Sequence, residues 1–417
     1  MRKQIMIIAA ALLAAYLGAQ AATYTWDNGA NTHLWGNPTN WVGNPTPTFN
    51  NTADIIFNSA DVVNRNNAMS IGGARTIRSL TINANYETQN NVTFDIRTYE
   101  TFSATARNLT FTNASGNASI NVAQSTSGTA QIRLGSASSG TQDQGNIVLN
   151  TNLDLAQSNT YFNATGFQFD GKVSGAGAIN KTGAGLVRMV RDNSAWSGGM
   201  NINEGEVSVF SQGNAMGTGA WTLGGGANDT KLSVGSVAVQ ANSGGLTVAD
   251  GAGTRTIALA STFVGNTTLA GAITLNKDVL FDVGSYVAGT HDRIIAGCAI
   301  SGTGGLIKNG NGILELSGAN TYSGQTRVEG GTLSLKANQT IGDESELILS
   351  ASAALDLDFA GTVTVKTLSL DGGSFWLAPG TYTAAQLNAL GGTCSGSGSV
   401  NVLRRGGKIR LIVISSL

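Results

Sequence analysis

The chain contains a copy of part of itself. Val173 to Val207 reads VSGAGAINKTGAGLVRMVRDNSAWSGGMNINEGEV, and Ile300 to Leu333 reads ISGTGGLIKNGNGILELSGANTYSGQTRVEGGTL. With one residue inserted in the first copy, the two match position by position. Ser174-Gly175 matches Ser301-Gly302, Lys181 matches Lys308, and Gly183-x-Gly185 matches Gly310-x-Gly312. Asn193 matches Asn320, Trp196-Ser197-Gly198 matches Tyr322-Ser323-Gly324, and Glu204-Gly205 matches Gly330-Gly331. A degenerate echo lies at Ala270 to Leu275. Weak copies with variable insertions fit a solenoid, in which each turn has only to pair with its neighbours.

The repeated unit is written in strand grammar. Leu306-Ile307-Lys308, Ile313 to Leu316 and Thr326 to Leu335 read as three strands separated by Gly/Asn turns. In the middle one Leu314 and Leu316 share a face opposite Ile313 and Glu315, the period-two pattern of a half-buried strand. Similar short runs precede it: Asp54 to Phe57, Thr76 to Ile82, Asn91 to Ile96, Asn108 to Phe111, Ser119 to Val122, Gln131 to Leu134 and Ile147 to Leu155. Only four prolines occur, and none between Pro47 and Pro379, which suits a long ladder that needs every backbone N–H. Turning falls to 56 glycines and 39 asparagines, both tolerant of positive φ. Stacked asparagines are expected to align into amide ladders. The one helical stretch, Ala384 to Leu390, is about two turns at most.

The motif SGxGxLxKxGxGxLxLSGxNTYSGxTxVxxGTLxL resembles the autotransporter-associated β-strand repeat, also called the passenger-associated transport repeat. The match is close over Ile300 to Leu335 and moderate over Val173 to Val207. Thr25-Trp26-Asp27 with Asn40-Trp41 also resembles the N-termini of exported proteins carrying this repeat. The resemblance implies an all-β, right-handed parallel β-helix, exported to the extracellular space or outer membrane of a Gram-negative-type bacterium. It associates the repeat with passenger export and not with catalysis.

The two ends add expectations of their own. Arg2 and Lys3, the apolar run Ile5 to Leu17 and Ala19-Gln20-Ala21 have the form of a secretory signal over 1–21, with the mature chain starting at Ala22. Residues 22–53 hold Trp26, Trp35 and Trp41 and are expected to cap the open end of a stacked sheet. The same rings offer a different role, as a platform for sugars. One elongated β-helical domain is expected over 54–402, with repeats at 173–209 and 300–336. The tail 403–417 carries Arg404, Arg405, Lys408 and Arg410 beside Leu411 to Ile414, a run too short to span a bilayer. A terminal membrane β-barrel finds no room in this pattern. The tail reads either as a last edge strand with basic gatekeepers or as a truncated or shifted reading frame. Cys298 and Cys394 permit a bridge in an exported chain and serve equally well as small core residues.

Charge and motifs limit the function. With 24 basic and 25 acidic residues scattered singly, no basic stripe exists for nucleic acid. His33 and His291 lie far apart, so no metal-ligand spacing appears and no cofactor is expected. Asp356-x-Asp358 and Asp154 lie between leucines that would face inward, and the turn Asp343-Glu344-Ser345-Glu346 is acidic. Glycoside hydrolysis needs a carboxylate pair with one raised pKa, and lyase chemistry needs a base beside carboxylates. None of these acids has a matched base at an informative spacing, and no catalytic residue is assigned. The expected function is a non-catalytic structural or adhesive surface protein with glycans or matrix components as partners. A polysaccharide lyase or hydrolase on the same fold, and a glycan-binding module, stand as alternatives.

Overall fold

A computed structural model describes residues 21–406 except 28, 31, 59–68, 84–92, 101–102, 125–130, 137–144, 161–165, 211–213, 236–238, 241, 261–262 and 285–291. The signal segment 1–20, His291 and the tail from residue 407 lie outside the described residues. Parallel strands dominate. One sheet stacks eleven strands from Ala22–Trp26 to Ile300–Gly302, and a second stacks thirteen from Met69–Ser70 to Thr367–Ser369. A third place in the winding order holds four strands ending at Lys172–Gly175 and, further on, seven from Val239–Gln240 to Cys394–Gly396. The chain therefore visits a first, a second and a third face in turn and advances one strand spacing per circuit, as a parallel β-helix. Thirteen strands about 4.8 Å apart give an axis of roughly 58 Å.

The period-two pattern fills the coil. On the first face Ile55, Leu80, Ile120 and Leu155 lie opposite one another across successive turns, all fully buried. On the second, Val207, Leu232, Ile257 and Phe281 do the same. Burying each such side chain contributes about 1.5–3 kcal/mol, so the core is a chain of small equal terms along the axis. Sequence reading joined strands that the structure separates. Thr76 to Ile82 is Arg75–Ile77 and Ser79–Ile82, Ile147 to Leu155 is Asn146–Leu149 and Leu153–Gln157, and Thr326 to Leu335 is Thr326–Val328 and Gly331–Leu335. At Arg78 a single residue turns the corner, leaving Ile77 and Leu80 both inward and stretching the apolar spacing from two to three. Near the other end Gly380–Thr383 runs antiparallel to Ser399–Val402, and a short helix, Ala384–Ala389, follows it. Thr383 and Gln386 close that helix's first turn as a capping box.

The two repeat copies sit on different faces. In the first, Ile179–Thr182 is on the first face and Leu186–Met189 on the second. In the second, the matching Leu306–Asn309 is on the second face and Ile313–Leu316 on the third. The unit is thus displaced by one face of the coil between copies. What repeats is the relation of one turn to the next.

Gly175 and Gly302 show how tight that relation is. Both have left-handed φ, +99° and +108°, and an added Cβ would lie 2.4 Å and 2.2 Å from the carbonyl oxygens of Leu149 and Leu275 on the preceding turn. Gly302→Ala is expected to destabilise by about 2 kcal/mol or more, through strain and backbone clash together. Gly226→Ala, with nothing within 4 Å of the new methyl, is the control expected to stay within ~0.5 kcal/mol. Urea midpoints of the two variants measure the difference.

Candidate functional site

The polar residues shared by both copies converge on neighbouring turns. Asn193 Oδ1 accepts the Val173 N–H at 2.8 Å from the turn before, and its Nδ2 donates to the Ala215 carbonyl at 2.8 Å on the turn after. Asn320 does the same between the Ile300 N–H (2.8 Å) and the Thr340 carbonyl (2.7 Å). Each buried amide ties three consecutive turns. Beside them Trp196 is wholly buried and donates to the Gly177 carbonyl at 2.9 Å. Tyr322, equally buried, shares a 2.7 Å bond with the Thr326 hydroxyl.

Lys181 and Lys308, matched between the two copies, point into the coil. Lys308 Nζ donates to the carbonyls of Asn309 (2.8 Å), Gly310 (2.7 Å) and, one turn on, Gly330 (3.0 Å). Lys181 reaches the corner carbonyl of Gly183 and, one turn on, that of Glu204 at 2.7 Å. Burial pushes both ammonium groups down to about 8; Glu204 and Glu206 pull Lys181 back up, and Asp282 does so for Lys308. Arg255 is a third interior cation, donating to the carbonyls of Gly226 (2.8 Å), Asn228 (2.9 Å) and Ala249 (3.2 Å). Recurrence of lysine before a Gly-x-Gly corner was the available signal for the pair. Nothing in the sequence marked Arg255.

The outward acids fall in two places. Asp154 accepts from Asn117 (2.9 Å) and Asn180 (2.8 Å), and Asn201 donates to Asn180 at 2.8 Å, so an amide ladder does form. It runs along a strand face. Asp356 and Asp358 lie together on the third face as expected. Asp356 accepts from the hydroxyls of Ser334 (2.8 Å) and Ser395 (2.7 Å), and Asp358 from Lys336 at 2.5 Å. Lys336 also lies 3.9 Å from Glu315, which pairs with Arg293. Two carboxylates and a base are therefore closer in space than their spacing suggested. The hydrogen bond and charge of Lys336 hold Asp358 below the usual carboxylate range, opposite to what a general acid requires.

The remaining expectations resolve by burial and distance. Trp26, Trp35 and Trp41 are at most 1% exposed. Trp26 meets Trp41 edge-on at 5.0 Å, Trp35 stacks on Phe49 at 5.7 Å, and Trp41 bridges the first strand at Trp26. Sugar stacking on these three rings is ruled out, because their faces are already covered by the first turn. Cys298 and Cys394 are free thiols, pushed up to about 11 by burial. From Ile294 the paired strands pass through Leu314, Leu333 and Leu355 to Cys394, four spacings or about 19 Å, too far for a bridge. Asp343 and Glu344 rim an open concavity of about 390 Å³ floored by Asn320 and Tyr322. Glu344 meets Arg404 at 3.4 Å, both exposed. Among the described residues no three His, Cys, Asp or Glu side chains gather as a metal site.

Asn320→Ala leaves the Ile300 N–H and the Thr340 carbonyl unpaired. It should cost about 2–3 kcal/mol and raise hydrogen exchange at Ile300 more than ten-fold. The interior lysines predict a pH trend. Below pH 8 both folded and unfolded chains hold these protons and the burial cost is fully present. Between pH 8 and about 10.5 the folded chain releases them first, so stability rises with pH, by roughly 3 kcal/mol per lysine at most. Denaturant midpoints should climb across that window in the native chain, and less in Lys308→Met.

Comparison with known proteins gives the repeat its identity. The passenger-associated-transport-repeat family model matches residues 179–209 and 306–335. The adhesin BmaC autotransporter of Brucella suis biovar 1 is 42% identical over 74 residues, 18% of this chain and 2% of that protein. The Neisserial autotransporter lipoprotein NalP of Neisseria meningitidis serogroup B is 42% identical over 73 residues, 18% of this chain and 6% of that protein. The matches thus span only a small fraction of these relatives. No solved structure matches the chain. Repeat motif, family match and autotransporter relatives agree: residues 179–209 and 306–335 are two passenger-associated transport repeats.

Proposed function

We propose that this chain is an exported, surface-exposed passenger-like protein with an adhesive or structural role and no catalytic one. The observation that carries the reading is the use of the repeat's polar residues. Asn193, Asn320, Lys181 and Lys308 all bond the backbone of adjacent turns, so the repeat acts as scaffold. The relatives support the setting, both being autotransporters from Gram-negative bacteria and one named an adhesin. In this reading residues 1–21 direct export, 22–53 cap the coil, and the outer faces of 54–402 meet glycans or matrix components outside the cell or at the outer membrane. No helix among the described residues is long and apolar enough to cross a membrane.

A second reading, a polysaccharide lyase or hydrolase, draws on the row of Lys336, Asp356 and Asp358. Intact producer cells treated with protease should release peptides of the 54–402 region, and deleting the gene should lower attachment to glycan- or matrix-coated surfaces several-fold. Protection until lysis, or unchanged attachment, counts against the adhesive reading. Purified chain incubated with polyuronates and neutral polysaccharides should generate no new ends; product formation abolished by Lys336→Ala would establish the enzyme instead.

A further inference from the structure

The outward side of the first face differs from the rest of the coil. From Ile179–Thr182 to Ile300–Gly302 six consecutive strands stack in unbroken register. Their central outward positions are Asn180, Asn201, Thr222, Thr247, Thr274 and Ser301, a single file of amides and hydroxyls, each half-exposed. Two residues earlier on every strand stands Ala or Gly, from Ala178 to Ala299, with Ala220, Ala272 and Ala299 exposed. Two residues later come Thr182, Asn203, Ala249, Asn276 and Thr303, the matching Gly224 being buried and turned toward Arg255. None of these outward residues is charged; Lys181 faces the interior. Along the file charge returns at Asp154, one turn before the strip begins, where it is bonded to Asn180, and earlier at Asp54, paired with Arg78. Glu204, Asp250 and Lys277 stand at the corner just beyond the last column. Asn201 donates to Asn180, but among the described residues no partner is found for the hydroxyls of Thr222, Thr247, Thr274 and Ser301. The other faces carry ion pairs on their outward sides: Arg133 with Asp95 on the second, and Arg293, Glu315, Lys336 and Asp358 on the third.

Size and charge select what could lie on this strip. Three outward positions across and six strands along give about 13 Å by about 24 Å, roughly 300 Å². A stable protein partner or a second copy needs about 800 Å² per side. With no charge the strip has nothing for sulfate, uronate or phosphate to pair with. A single extended polymer strand fits the width. Its donors and acceptors would have to recur along the axis at about the strand spacing, which a chain of linked pyranose rings with free hydroxyls does. The Ala/Gly column lets ring C–H faces approach the sheet, and the Thr/Asn file exchanges hydrogen bonds with the hydroxyls. Each contact is weak, and affinity accumulates with the number of units engaged.

We propose that the outward strip from Asn180 to Ser301 on the first face binds an extended neutral glycan lying along the coil axis. This deepens the adhesive reading above and rests on it. The test is affinity electrophoresis of the purified chain through gels containing hydroxyethylcellulose, β-1,3-glucan, mannan, hyaluronan or heparin. Thr247→Arg places a long charge at the centre of the strip, and Thr256→Arg makes the same change on the outward side of the second face. Circular dichroism melting confirms that both variants fold. The expected result is retardation by at least one neutral polysaccharide, weakened ten-fold or more in Thr247→Arg and unchanged in Thr256→Arg. Retardation by hyaluronan or heparin alone, retardation by a neutral polymer that survives Thr247→Arg, or self-association without retardation overturns the proposal. Attachment of producer cells separates the two levels. If cells displaying Thr247→Arg still attach as well as the native strain, the strip is wrong and the adhesive reading stands. If neither native nor variant chain contributes to attachment, the adhesive reading itself fails.

Discussion

The parallel strands described in this coil take their backbone partners from the turns on either side. In a parallel ladder each strand's N–H and C=O groups point along the axis to the turns before and after, so backbone satisfaction is always shared. The corners have the same dependence. Asn320 joins an amide on one side of it to a carbonyl on the other, and Lys308 gathers carbonyls from its own corner and the next. Gly302 is glycine because the preceding turn's carbonyl occupies the place of a side chain. Stability is therefore a property of neighbouring pairs, and any one turn is only as secure as those flanking it.

Placing cations inside the coil follows from the same geometry. A corner leaves carbonyl oxygens facing inward with no strand partner, and an interior without water must supply a donor. Lys181, Lys308 and Arg255 each provide several N–H groups at such a corner. Acid partners stay in the background, so the carbonyl dipoles do most of the solvating. The cost appears in the lowered lysine pKa values, which record how far these groups are from water.

Fold and scaffold were largely legible because they are written in periodicity and repetition. Alternation marked the strands, missing proline marked an uninterrupted ladder, and the second copy marked stacking. Corner positions were harder to read. A one-residue turn at Arg78 leaves the alternation almost intact and shows only as an apolar gap of three between Ile77 and Leu80. The tryptophans were visible as a cluster, but their burial depended on strand Ala53–Phe57 packing against them, a contact that local pattern does not encode. The approach of Lys336 to Asp358 was hidden for a similar reason. Residues 22 apart become neighbours only once the length of a turn is known.

The displacement of the two repeats by one face bears on how such a chain can grow. A unit whose demands are met wholly by the turn before and the turn after has no preferred azimuth on the coil. Copies can be gained or lost without turning the rest of the molecule out of register with itself. The identity of each outer face is then free to be set by the less regular turns between copies. In this chain those intervening turns carry half of the uncharged strip on the first face.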